Sequence, residues 1–129
     1  MTSLEAAAFW AGLNALLLIV LSARVGQARL KNRVNLGDGD NPEMIKAIRT
    51  QGNYIEYAPA AVGGLVLLAL LNAPIALVHG LGGLFFLSRV FHLFGLGMGI
   101  WGKGRMFGTV GTMFTLLITG GSLIYLAIF

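Results

Sequence analysis

Residues 57–88 read YAPAAVGGLVLLALLNAPIALVHGLGGLFFLS, 32 consecutive positions from Tyr57 to Ser88 without Asp, Glu, Lys or Arg. One straight helix of that length would reach roughly 48 Å, well past the roughly 30 Å of a bilayer's hydrocarbon core. Asn72-Ala73-Pro74 interrupts the run. Proline has no amide hydrogen to donate and disfavours helix in the residue before it, so the stretch reads as two spans joined by a tight hairpin. Working outward, Ala6–Ala23 supplies 18 uncharged residues on one side and Met106–Phe129 supplies 24 on the other. The expectation is an all-α integral membrane four-helix bundle, a single domain over residues 1–129 with helices at about 4–24, 42–71, 75–101 and 105–128.

Composition agrees. Hydrophobic residues make up 57% of the 129 and charged residues 11%, where a soluble domain carries about 25% charged residues. Disorder needs low hydrophobicity and is excluded. The absence of cysteine excludes a disulfide scaffold, a thiolate zinc site and a cysteine nucleophile. Any thiol chemistry must then use sulfur from a bound molecule. The net charge of +4 rests on only nine Lys and Arg, and their placement fits a membrane surface rather than nucleic acid. No metal site is expected: Gly37-Asp38-Gly39-Asp40 lacks the alternating ligands and distal glutamate of a calcium loop. It reads as a turn leading to Asn41 as N-cap, Pro42 in the first helical turn and Glu43 at the positive end of the helix dipole.

Arg24, Arg29, Lys31, Arg33, Lys46 and Arg49 cluster in or near the first loop, and Lys103 and Arg105 in the third. The excess of basic residues on cytoplasmic loops therefore places both of these loops in the cytoplasm and both termini outside. The N-terminus lacks the basic segment of a cleavable signal peptide. Trp10 and Trp101, near helix ends, read as interface anchors, and His79 as a structural residue or one near the outer surface. Gly95/Gly99 and Gly104/Gly108 have the spacing that lets membrane helices approach closely.

The informative polar stretch is Arg49-Thr50-Gln51-Gly52-Asn53-Tyr54-Ile55-Glu56-Tyr57-Ala58-Pro59. On a helix Arg49, Asn53 and Glu56 share one face, with Glu56 roughly 10 Å further along the axis than Arg49. Ionisable groups at membrane depth are costly unless paired or hydrated. Arg89 and His92 share a face of the third helix and are the expected partners. Two readings stand side by side. In one, Glu56 and Arg89 form a buried salt bridge that fixes helix register, with Asn53 as interhelical glue. In the other, the surplus of Arg49, Arg89 and Arg105 over a single glutamate marks a pocket for an anionic ligand, because arginine binds carboxylates through paired, charge-assisted bonds.

The pattern Arg49-x-Gln51-x-Asn53-x-x-Glu56-Tyr57-x-Pro59, with Asn41-Pro42-Glu43 before it, Arg89 in helix three and Arg105 opening helix four, resembles the membrane-associated proteins in eicosanoid and glutathione metabolism, the MAPEG family. Val34 to Glu43 looks most like the small bacterial branch. The resemblance implies an inner-membrane homotrimer with glutathione bound in cytoplasm-facing clefts between subunits. It implies that Arg49, Gln51, Asn53, Glu56 and Tyr57 contact glutathione, with Arg89 and His92 in the ligand site. Arg105 would stabilise the thiolate, or Lys103 if the loop alignment slips. The implied activity is that of a glutathione-dependent transferase or peroxidase acting on hydrophobic electrophiles. His92 and Leu96 stand where catalytic relatives carry tyrosines, which keeps open a non-catalytic lipid- or partner-binding scaffold of the same fold. A small transporter using Glu56 and Arg89 is a third reading, weakened by the small number of helices and the absence of an inverted repeat.

Overall fold

The computed structural model describes residues 1–129 and contains helices only. Helix α1 spans Ser3–Asn32, α2 Pro42–Leu70, α3 Ile75–His92 and α4 Gly104–Ile128, and α3 continues into a π-helical turn over Leu93–Gly97. All four helices are long and apolar enough to cross a bilayer. In hydrocarbon every backbone amide and carbonyl must be satisfied within the protein, which leaves helices as the natural form for such a chain.

Local chemistry sets the ends. Thr2 opens α1 with a reciprocal cap: its hydroxyl accepts from the Glu5 amide at 3.1 Å, and its own amide donates to the Glu5 carboxylate at 2.6 Å. Helix α1 does not stop near residue 24 but runs on to Asn32, where Arg33 takes a left-handed conformation (φ 55°) and closes it. Arg24 marks where hydrocarbon ends, not where helix ends, because Arg, Gln and Lys are good helix formers in water. Thirty residues make a rod of roughly 45 Å, so the last turns stand clear of the apolar core. Helix α2 begins as expected, with the Asn41 side chain accepting from the amides of Glu43 (2.9 Å) and Met44 (3.1 Å). The protruding ends of α1 and α2 pack through Ala28, Met44 and Ala47. Arg29 clips the connecting loop by donating to the Gly37 carbonyl at 2.9 Å.

The Asn72-Ala73-Pro74 break is the hairpin between α2 and α3. Asn72 adopts φ 59°, and the Ser3 hydroxyl of α1 donates to the Ala73 carbonyl at 2.7 Å. Helix α3 is shorter than the expected 75–101. It widens into the π-turn, and the chain then reverses at Gly99, whose φ of 67° favours glycine. The Arg24 guanidinium donates to the Gly97 carbonyl at 3.0 Å and ties this end to α1.

Helix α1 packs on α2 and α3, α4 packs on α3 and α2, and the backbones of α1 and α4 stay apart. The bundle is therefore a rhombus with α2 and α3 on its short diagonal. One apolar cluster, including Ala6, Leu65, Leu68, Val78 and Leu81, fills the end nearest the hairpin. A second, around Leu17, Tyr54, Ala61, Phe85 and Leu93, fills the middle. The outward faces of α1 and α4 stay apolar and uncovered: Ile19 is 64% exposed and Leu117 72%, a surface suited to lipid or to a second copy.

Helices α3 and α4 meet backbone to backbone. A Cβ on Gly108 would lie 2.5 Å from the Ser88 carbonyl oxygen and 2.7 Å from the His92 Cβ, and one on Gly104 would lie 2.5 Å from the Phe91 carbonyl oxygen. Gly104/Gly108 is thus a true small-residue seam. Gly95 faces the same seam, whereas Gly99 lies in the turn. Trp10 is half-buried near the start of α1. It packs over Gly82, and its indole donates to His79 Nδ1 at 3.1 Å.

Two predictions follow from this packing. Gly108→Ala forces α3 and α4 apart and destabilises the bundle by about 1–3 kcal/mol; Gly12→Ala, where a Cβ meets nothing within 4 Å, leaves the unfolding midpoint in detergent unchanged or slightly raised. Tyr54→Phe removes the hydroxyl that donates to the Asn14 backbone carbonyl at 2.8 Å and costs about 1 kcal/mol in the same assay.

Candidate functional site

The polar motif lies in the lower half of α2, between the water-facing turns at Pro42 and the apolar run that begins at Tyr57. Successive helical residues are turned by about 100°. Arg49, Asn53 and Glu56 therefore fall within a sector of about 60°, Tyr57 flanks it on the Asn53 side, and Gln51 points to the opposite side.

The structure resolves that pattern into two groups. Facing α3, the Asn53 amide oxygen accepts from Arg89 Nη1 at 2.8 Å. Arg89 is only 2% exposed, and its guanidinium carbon stands 5.9 Å from the centre of the half-buried Tyr57 ring, within cation–π range. Arg89 Nε and Nη2 are buried and have no hydrogen-bond partner. Facing outward, Arg49 and Glu56 are exposed on the surface of the protomer, and neither forms an ion pair. The chain's ion pairs are Lys31–Glu43 at 3.0 Å and the amino terminus with Glu5 at 3.9 Å.

A salt bridge between Glu56 and Arg89 is therefore not formed within the chain. Asn53 and Glu56 stand about 60° apart around α2; the packing of α2 on α3 turns the neutral amide, not the carboxylate, toward the guanidinium. Gln51 is separate again and donates to the Ser22 hydroxyl of α1 at 2.7 Å.

His92, one turn beyond Arg89, is buried and makes no side-chain hydrogen bond. It packs against Gly108 of α4. Arg105 is exposed at the start of α4 with its backbone against Gly95, and Lys103 is exposed just before it. The structure thus joins Asn53, Tyr57 and Arg89 on the inner side of the motif and buries His92 separately against α4. It leaves Arg49, Glu56 and Arg105 facing out.

Two polar contacts were not anticipated from the residue pattern. Asn14 is buried in the middle of α1's uncharged run and donates to the Trp10 carbonyl at 2.8 Å, while its own carbonyl receives the Tyr54 hydroxyl. An uncharged amide amid apolar residues was the available signal. The second is the bond from Arg24 to Gly97, which nothing in the spacing foretells because its acceptor is a backbone carbonyl in a turn.

Arg89 is thus held by one amide and one aromatic face, with two buried nitrogens left without a partner. The outward Arg49 and Glu56 add one charge of each sign at the protomer surface.

Comparison with known proteins bears on this arrangement. The chain is 36% identical over 88 residues, 68% of its own length and 67% of theirs, to the inner membrane protein YecN of Escherichia coli strain K12 and, to the same extent, to YecN of Escherichia coli O6:H1 strain CFT073. No solved structure matches it. Residues 7–125, which include all four helices nearly entire and every residue of the polar motif, match the MAPEG family, and the chain belongs to that family.

Proposed function

We propose that this protein is a glutathione-dependent membrane transferase, with peroxidase activity as a related outcome, acting on hydrophobic electrophiles in the inner membrane. The observation that carries the reading is Arg89, buried with two unpartnered nitrogens beside Asn53 and Tyr57. A buried guanidinium left partly unpaired is costly, and a ligand carboxylate relieves that cost. Glutathione has two carboxylates, suited to Arg89 and Arg49, and an ammonium group, suited to Glu56. Arg89 is 2% exposed and would have to be uncovered for the same ligand to reach it as well as Arg49 and Glu56. Arg49 and Glu56 are exposed on the protomer surface, so a ligand that uses them lies at the protomer's edge, where a neighbouring copy would close the cleft. A homotrimer with glutathione between subunits meets that requirement. Gln51, hydrogen-bonded to Ser22, would have to turn away from α1 to take part.

The chemistry is a nucleophilic displacement or addition. The glutathione thiol gives its proton to water, and the thiolate attacks an electrophilic carbon to form a C–S bond. In a displacement the leaving group departs with its bonding pair; in an addition a carbon–carbon π bond breaks and the carbanion takes a proton from water. Arg105 stabilises the anionic sulfur, since a neighbouring guanidinium lowers a thiol's pKa. The apolar outer faces of α1 and α4 let a lipid-soluble electrophile approach from the bilayer. The basic ends of α1 and α2 and the turn before α4 face the cytoplasm in this reading, which puts the cleft within reach of a cytosolic tripeptide.

The scaffold reading keeps one observation in its favour. His92 is buried, Leu96 carries no hydroxyl, and the Ser88 hydroxyl of α3 is already donated to the Leu84 carbonyl at 2.6 Å, so α3 offers the sulfur no free hydroxyl donor. A scaffold would bind lipid specifically and show no turnover with glutathione.

Two measurements test the proposal. Calorimetric titration of the purified protein with glutathione gives saturable binding, and Arg49→Ala and Glu56→Ala each weaken it by about tenfold or more; absence of binding to the intact protein removes the glutathione reading. Thiolate absorbance near the ultraviolet rises on binding. Arg105→Ala lowers conjugation of an aryl halide by about 100-fold while binding changes far less, the pattern of a group that stabilises developing or resident charge. Unchanged turnover in that variant would show that Arg105 does not serve the thiolate.

A further inference from the structure

Away from the polar motif, a cleft of about 660 Å³ opens between the protruding ends of α1 and α2 and the turn that follows the π-helical segment. Its walls carry three cations, Arg24, Lys31 and Lys46, and a single acid, Glu43. Glu43 is already engaged, accepting from Lys31 at 3.0 Å and from the Asn32 amide at 3.1 Å. Arg24 reaches across to the Gly97 carbonyl at 3.0 Å through one nitrogen, which fixes the guanidinium while leaving its other donors available. Lys46 has no acidic partner. The cleft is thus preformed and carries excess positive charge.

Its position names the occupant. Arg24 is the first charge after the 18 uncharged residues of α1, so the cleft lies where hydrocarbon gives way to headgroups. The turn that floors it presents Met98 and Ile100, 43% and 71% exposed. A soluble anion has no use for that apolar lip, whereas a phospholipid places its phosphate among the cations and its acyl chains along the lip.

We infer that this cleft is a binding site for the phosphate headgroup of an anionic phospholipid, held by Arg24, Lys31 and Lys46. A lipid seated there bridges the α1–α2 hairpin to the α3–α4 turn, adding to the Arg24–Gly97 bond and the packing of Thr50 on Gly97. The inference does not depend on the glutathione reading, because none of its three cations belongs to the polar motif.

Native mass spectrometry of the detergent-purified protein, titrated with phosphatidylglycerol and separately with phosphatidylcholine, tests it. Phosphatidylglycerol binds the tighter of the two, and Lys46→Gln weakens it about fivefold. Lys46 is exposed and without an ion-pair partner, so the substitution leaves the fold intact. Arg24→Gln weakens it at least as much. Arg33→Gln removes an equally exposed charge outside the cleft and leaves binding unchanged. Equal losses in Lys46→Gln and Arg33→Gln overturn the site in favour of diffuse surface attraction, as does equal affinity for the two lipids. Competition by inorganic phosphate at concentrations comparable with the lipid overturns the lipid assignment and leaves a free-anion site.

Discussion

The bond from Arg89 to Asn53 is where the demands of the bilayer meet those of the site. A guanidinium has five donors and no way to shed its charge. Sunk between α2 and α3, it finds one amide oxygen at 2.8 Å and one tyrosine face. Were it only a structural pin, the remaining donors would stand as an unrelieved cost in a chain that satisfies almost all its other buried polar side chains. Around this point the two central helices are held in register, and Tyr57, His92 and the outward pair Arg49 and Glu56 are placed relative to it.

The rest of the architecture keeps that region in position. Helices α2 and α3 form the short diagonal of the bundle, with α1 and α4 at the far corners. Helix α4 is drawn against α3 by glycines whose hydrogens face carbonyls and a histidine stem. That closeness lets Arg105 open α4 beside the end of α3. Helix α1 contributes the Asn14–Tyr54 contact above the site and the Arg24 clasp below it. Polar bonds therefore tie α1 to α2 and to the α3–α4 turn at two depths, while small residues do the equivalent work between α3 and α4. This division suits a hydrocarbon solvent, in which apolar side chains gain little by leaving lipid for protein, and close backbone approach and hydrogen bonds must supply association instead.

Family membership and the local geometry bear on different parts of the functional picture. Membership accounts for the four-span layout and the motif of α2. The geometry divides the polar residues into an inner group, Asn53, Tyr57 and Arg89, an outer one, Arg49, Glu56 and Arg105, and His92 buried apart against α4. The basic cleft beyond the membrane edge is a separate feature with its own charges and lip, and it connects the same helices from the water side.

What the sequence by itself determined was the number of spans, the hairpin at Asn72-Ala73-Pro74, the cap at Asn41 and the concentration of polar side chains on α2. Each follows from a local rule: hydrocarbon thickness, proline's missing donor, the unpaired amides of a helix start, or the 100° step between residues. Charge patterning could not locate the end of α1, because a helix leaving the bilayer keeps its hydrogen bonds while its side chains change solvent. Nor could it locate the end of α3, where successive glycines and the reach of Arg24 across the bundle redirect the backbone. Tertiary structure alone decided that Asn53 rather than Glu56 meets Arg89, that Gln51 turns to Ser22, and that Gly104 and Gly108 line a seam while Gly99 makes a turn. Periodicity fixes the angles between side chains on one helix; the rotation of that helix against its neighbours is set by the packing of all four.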